Sequence, residues 1–188
     1  MAVLPILITG EPVLHRPATE VTGFDDTLRT LVDDMFETMA AAPGVGLAAP
    51  QVGVDLRVFV FDWTGEDNHS HRGVAVNPEL FVTPTPLGDA DEDDDAEGCL
   101  SVPGERFPLT RSARAILRAV DLDGEAFEIE ADGWLARIFQ HEFDHLDGIL
   151  YVDRLPHQWN KPVAKILRKQ GWGVPGNSWM PGSDDIDA

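Results

Sequence analysis

The chain has 188 residues, 43% of them hydrophobic, enough for one cored domain with room for an appendage. Thirty-three acidic residues against 14 basic give a net charge of −19, and so acidic a surface repels duplex DNA and excludes a specific DNA-binding role. No run approaches a membrane span, no signal peptide is evident, and one cysteine suits a reducing compartment, so a cytoplasmic protein without membrane contact is expected.

In chain order, Ile6 to Ile8 reads as a short strand. Asp25 and Asp26 open a helix whose apolar stripe is Leu28, Leu31, Val32, Met35 and Met39. Gly44 to Gly53 is a run of small residues holding one uncharged polar side chain, Gln51. It lacks the lysine and hydroxyl of a phosphate loop, and Pro43-Gly44 marks a tight connection. Arg57 to Asp62 and Val74 to Asn77 read as strands, with His69 and His71 in a polar loop between them. Asp89 to Asp95 holds six acids in seven positions and reads as a solvated loop at the rim of the next motif. Ala115 to Asp121 and Ala126 to Glu130 form a hairpin about Asp123-Gly124. A helix follows, stopped at Gly148, and a last helix covers Trp159 to Lys169. The Gly-, Pro- and Asp-rich stretch from Gly171 to Ala188 reads as an extended or disordered tail. Hairpin strands with segregated helices give an α+β class.

The chemistry concentrates in His141-Glu142-Phe143-Asp144-His145. Trp134, Leu135, Ile138, Phe139 and Leu146 recur at helical spacing around it. Residues four apart share a helix face, so His141 and His145 can grip one metal ion while Glu142 moves protons for its water. Two core histidines would be the bland reading. A catalytic site usually needs a third protein ligand and one open position. Downstream stand only Asp144, Asp147, Asp153, His157, Asp184, Asp185 and Asp187 as donors, and the metzincin position is Tyr151. Upstream, Cys99 in Glu97-Gly98-Cys99-Leu100-Ser101 cannot form an intrachain disulfide. It is an inert core thiol or the thiolate of a Cys-His-His set. With either, Gln51 and nearby backbone offer donors for a substrate carbonyl.

These three elements, in this order, resemble those of the peptide deformylase family: G-x-G-x-A-A-x-Q at Gly44 to Gln51, E-G-C-L-S at Glu97 to Ser101, and H-E-x-D-H at His141 to His145. The similarity runs from Pro12-Val13-Leu14 to about Leu155. It implies mixed and antiparallel β-sheets packed around a central metal-binding helix. It implies a catalytic domain over residues 1–155 and a C-terminal helix with a flexible tail over 156–188. Cys99, His141 and His145 become the metal ligands, Glu142 the general acid/base, and the Gln51 side chain and Leu100 backbone N–H the oxyanion donors. The substrate side is expected to comprise Gly46, Val45, Glu97, Arg106, Trp134 and Ile138, with Glu97 also pairing with Arg111 to hold the Cys99 loop. The implied ion is Fe²⁺, one per chain, replaceable by Zn²⁺, Ni²⁺ or Co²⁺, and a thiolate with two imidazoles does not choose among them. The implied reaction releases formate from N-formylmethionyl nascent peptides.

Three positions depart from the family pattern. Ala96 replaces a second acid, Trp134 stands where leucine is common, and the tail lies beyond the motifs. Lys161, Lys165, Arg168 and Lys169 share one face of the last helix, opposite Val163, Ile166 and Leu167. The resemblance makes that face a docking surface for the ribosome near the peptide exit. Two other readings compete: a zinc-dependent peptidase of the HExxH type, and a non-catalytic metal-binding or ribosome-associated module. The first leaves Cys99 and Gln51 unexplained, the second Glu142.

Overall fold

The structure, a computed structural model, describes residues 2–65 and 68–184. Its elements run β1 (Ile6–Leu7), α1 (Asp26–Ala41), β2 (Gly46–Ala48), β3 (Val58–Thr64), β4 (Ser70–Val82), β5 (Ala96–Cys99), β6 (Val102–Pro108), β7 (Arg114–Val120), β8 (Ala126–Asp132), α2 (Gly133–Leu146), α3 (Asn160–Gln170) and β9 (Ser178–Trp179). Three sheets form, with strand orders β2-β3-β4-β7-β8, β5-β6 and β1-β9, and every pairing among the described residues is antiparallel. The α+β class expected from the sequence is what the chain adopts.

Strand β3 explains the layering. Successive strand side chains point to opposite faces. Val58 and Val60 join Leu28, Val32, Met35 and Met39 of α1 on one face. Phe59 and Phe61 join Leu135, Ile138, Phe139 and Leu146 of α2 on the other. The sheet is thus sandwiched between the two helices, and the first four residues of β3, Val58 to Phe61, are buried on both faces and apolar. Helix α1 begins where the sequence says: the Asp25 carboxylate accepts from the backbone N–H groups of Thr27 and Leu28. Helix α2 is fixed by rings. Phe139 meets Phe61 edge-on at 5.1 Å between centroids, and each buried ring contributes about 2–3 kcal/mol. The helix stops at Gly148, whose φ of +75° and backbone contact with Arg16 admit no side chain.

Three readings are corrected. The strand expected at Val74 to Asn77 is the middle of β4, a 13-residue strand. Its register shifts between Val76 and Glu79, where Asn77 takes a φ of +48° and its amide clasps Val21 through both backbone groups. Pro78 at this bulge resembles a terminator in the sequence. His71, placed in a loop by its polar neighbours, sits in β4 opposite Trp63. The tail is also different. Residues 171–184 fold back instead of hanging free: β9 pairs with β1, Trp179 is buried, and Trp172 packs on two clusters. The last four residues of the expected tail lie outside the described residues.

The hairpin β5-β6 is inserted between β4 and β7. With Leu150, Tyr151 and Leu155 it forms a third cluster, against which Val163 and Ile166 of α3 pack.

Candidate metal centre

Strand β5 ends on Cys99 and α2 presents His141 and His145 on one face. The ligand atoms of these three residues all lie within 4.8 Å of one another. Cys99 Sγ is 3.3 Å from His145 Nε2, and the two Nε2 atoms are 3.2 Å apart. A tetrahedral ion at ordinary bond lengths spaces its donors at about 3.4–3.6 Å, so the set fits one ion. One thiolate and two imidazoles suit a divalent transition metal. Of the other acids weighed from the sequence, Asp147 is engaged with Arg57, Asp153 with the Leu150 N–H, Asp184 with the Met180 N–H, and Asp144 with Arg111 and Arg154, while Asp185 and Asp187 lie outside the described residues.

A buried ion-pair network orients His141. Its Nδ1–H donates to Glu97 Oε1 at 2.7 Å, which turns Nε2 toward Cys99 and His145. Arg111 forks onto Glu97 at 2.6 and 3.1 Å and reaches Asp144 at 2.6 Å. Arg137 adds bonds to Glu97, the Leu109 carbonyl and Asp95. Burial alone would raise the Glu97 carboxyl, but the hydrogen bonds and charges of His141 and Arg111 outweigh it and hold the group far below the usual carboxylate range. Burial would lower His141, yet the Cys99 sulfur and Glu97 raise it well above its ordinary value. A potential that draws a proton to that Nε2 draws a cation equally. His145 is depressed by burial and by the charges of His141 and Arg111, which leaves its nitrogen lone pair free to ligate.

Glu142 lies beside this cluster and is 4% exposed. Burial pushes its carboxyl up to about 7. Its Oε2 and His145 Nδ1 are buried side-chain atoms without a hydrogen-bond partner among the described residues. Such an oxygen is poised for a proton rather than engaged in structure. Gly46 explains how the carboxylate fits, since a Cβ there would stand 2.3 Å from Glu142 Oε1. Gln51 is fixed as firmly. The Ala48 N–H donates to its Oε1 at 2.8 Å, so its Nε2 points to Ser101 Oγ at 3.3 Å and Cys99 Sγ at 3.8 Å.

Above the cluster opens a pocket of about 590 Å³, lined among others by Val45, Gly46, Gln51, Cys99, Leu100, Arg106, Trp134, Ile138, His141 and Glu142. The residues proposed from three separate motifs therefore face one cavity. Glu97 also borders it, but both its oxygens are taken by His141, Arg111 and Arg137. We assign it to holding His141 rather than to substrate. Helical spacing placed Trp134 with the core stripe of α2. It is instead 40% exposed at the pocket wall, 6.3 Å from Trp63, with Arg137 over its ring at 5.2 Å.

The family profile described as polypeptide deformylase matches residues 3–161. The chain belongs to this family. It is 49% identical to the peptide deformylase of Rhodococcus opacus, covering 97% of this chain and 95% of that one. It is 48% identical to that of Tropheryma whipplei, covering 95% and 94%. Among solved structures it is similar to the peptide deformylase of Legionella pneumophila, at 40% identity and a TM-score of 0.76 over 90% of this chain and 96% of that one. It is also similar to the enzyme of Synechococcus elongatus, solved in complex with actinonin, at 36% identity and a TM-score of 0.78 over 93% and 92%. Deformylases are metal-dependent hydrolases that remove the N-terminal formyl group from newly made proteins, and this chain is one of them. The zinc-peptidase alternative has no support: the family match excludes it, and Cys99 and Gln51, which it leaves unexplained, sit at the centre of the site.

Sequence reasoning missed Arg137 and Trp63 as parts of the site, and it weighed Asp144 only as a possible ligand rather than as a partner of Arg111 and Arg154. The fourth residue of H-E-x-D-H was itself a signal, because Asp144, three residues from His141 and buried, needs a cationic partner. Trp134 gives a direct test. Trp134→Leu should change the ratio of kcat/KM between formyl-Met and bulkier formyl peptides, by about tenfold at most. An unchanged ratio across such a series would remove Trp134 from the specificity wall.

Proposed function

We propose that the pocket binds the N-formyl-methionyl end of a nascent peptide with the formyl carbon over the Cys99-His141-His145 cluster. That Glu142 and Gln51 line one pocket with Cys99 and His141 is the observation that carries this reading. A bound divalent ion supplies a water acidic enough to ionise near neutral pH and positive charge for a developing oxyanion. Fe²⁺ is the ion that the family resemblance favours, with Zn²⁺, Ni²⁺ or Co²⁺ as substitutes.

The chain's own groups then have distinct tasks. Glu142, raised to about 7, takes the proton of the attacking water and later delivers one to the leaving amine. Gln51 Nε2 and the Leu100 N–H donate to the formyl oxygen as it gains charge. Gly46 and Val45 offer backbone to the peptide, Arg106 a cationic contact, and Ile138 with Trp134 an apolar wall for the methionine side chain. A non-catalytic binding module has no use for an unpartnered buried carboxylate, so Glu142 speaks against that reading. The decisive experiment is formate release from formyl-Met-Ala-Ser by anaerobically prepared protein, alongside the unformylated peptide. Formate with intact Met-Ala-Ser is expected. Cleavage of the peptide bond without formate would overturn the assignment.

The substrate arises at the ribosome, which places the enzyme in the translating compartment. No helix among the described residues is long and apolar enough to cross a membrane. Lys161, Lys165, Arg168 and Lys169 are all exposed on α3, while Val163 and Ile166 face the third cluster. We infer that this basic face docks on ribosomal RNA near the exit tunnel. Phosphate attraction weakens steeply with salt. Co-sedimentation with ribosomes should be salt-sensitive and vanish when all four residues become Ala, with tripeptide hydrolysis near wild type. Binding that survives the quadruple change would leave α3 as packing alone.

A further inference from the structure

The tail returns to the metal loop by a defined route. After α3 the backbone N–H of Gly173 donates to the Thr9 carbonyl at 2.9 Å, and that of Ile8 to the Asn177 carbonyl at 3.0 Å. Ser178 and Trp179 then pair with Leu7 and Ile6. The fit is close: a Cβ on Gly10 would lie 2.3 Å from the Val174 nitrogen. Trp179, 6% exposed, donates its indole N–H to the Leu100 carbonyl at 2.8 Å. The Thr9 N–H donates to the next carbonyl, that of Ser101, at 2.8 Å.

The Leu100 carbonyl shares a peptide plane with the Ser101 N–H. That N–H donates to Cys99 Sγ at 3.4 Å. A peptide unit is planar and trans, so fixing the direction of its C=O fixes its N–H pointing the opposite way. A carbonyl that accepts a hydrogen bond also makes its own N–H a stronger donor. We propose that Trp179 is a positioning residue of the metal centre: by holding the Leu100 carbonyl it aims the Ser101 N–H at the Cys99 sulfur and sets the conformation of Leu100, whose N–H faces the reaction. This rests on the reading of Cys99 as ligand and Leu100 as oxyanion donor. Groups behind a ligand set its orientation and its donor strength. On this reading the functional unit does not end near Leu155 but extends through Trp179.

Trp179→Phe keeps the ring and removes the donor. Trp172→Phe is the control, because Trp172 also packs on the cluster that holds Trp179, while its own hydrogen bond runs from its backbone N–H to the Leu167 carbonyl and not to the metal loop. The probe is Co²⁺ alone, whose sulfur-to-metal charge-transfer band reports the thiolate directly. Trp179→Phe should shift that band, weaken Co²⁺ binding about tenfold and lower kcat by a similar factor, with KM little changed. Trp172→Phe should leave the band and kcat as in wild type. An unmoved band and affinity in Trp179→Phe, or equal changes in both variants, would overturn the proposal. Should Trp179→Phe fail to fold, wild-type protein decides. Its ¹⁵N-labelled Trp179 indole resonance should shift as Co²⁺ or Zn²⁺ is titrated in, and a resonance that stays fixed to saturation would refute the coupling. The band, the Co²⁺ affinity and the indole resonance are independent of turnover. A wild-type protein that binds Co²⁺ yet releases no formate would overturn the deformylase reading and leave the Trp179 result standing.

Discussion

Glu142→Gln should bind metal as wild type does and lose deformylation by a factor of about 10²–10⁴, the usual contribution of a positioned acid/base. The ligands remain and the proton carrier is gone. The same substitution should stabilise the metal-stripped protein at neutral pH. The Glu142 carboxyl sits at about 7 in the fold against an ordinary 4.5, so the folded chain holds that proton more tightly than the unfolded one. Stability from this group is full below 4.5 and is lost as pH rises through 7, because an ionised carboxylate is then buried against Gly46. Glutamine has the same shape and never ionises. The stability gap between variant and wild type should therefore widen in the variant's favour by about 3 kcal/mol between pH 4 and pH 8. Urea midpoints of chelated protein measure the gap, and metal analysis with formate release measures the rest. A flat gap would place Glu142 in a wetter setting than its burial indicates. Loss of metal in step with activity would show that the substitution disturbs the ligands.

Arg111→Ala should be the most damaging change away from the cavity. Arg111 is buried between Glu97 and Asp144, and its removal leaves two carboxylates in the interior short of their cation. Breaking a buried pair in this way costs about 3–5 kcal/mol. The effect should reach the metal, because Glu97 positions His141, and a lost support of this kind lowers affinity about 10–100-fold. Arg111→Lys keeps the charge but cannot fork onto Glu97 while also reaching Asp144, so it should fall between. A loss below about 1 kcal/mol in Arg111→Ala would mean that Arg154 and Arg137 carry the network without it.

The histidine pair was legible in the sequence because H-E-x-x-H needs only helical spacing. Cys99 and Gln51, left open by their own short runs, were assigned through the family pattern. The Glu97–Arg111 pair was reached through the family pattern. Arg137 and Asp95 were not legible, because their pairing depends on how an inserted hairpin lies across a helix, and no local rule sets that distance. β4 was read too short since the bulge at Asn77-Pro78 mimics a strand end. Composition misled for the tail: glycines, prolines and aspartates suggest disorder, yet Trp172 and Trp179 among them are a signal of burial. Trp134 was put beside the pocket through the family pattern, since helical periodicity alone does not tell a core face from a cavity wall.

The ligands come from pieces that the fold keeps apart. Cys99 rides on a hairpin spliced between two neighbouring strands of the main sheet, and the histidines ride on the helix that covers that sheet. An ion held by both is a cross-link as much as a reagent. Its binding energy is spent on the native arrangement and on no unfolded one, so metal affinity and the resistance of the hairpin to opening become a single quantity. The ion that performs the reaction is also the stitch that keeps the hairpin against the helix.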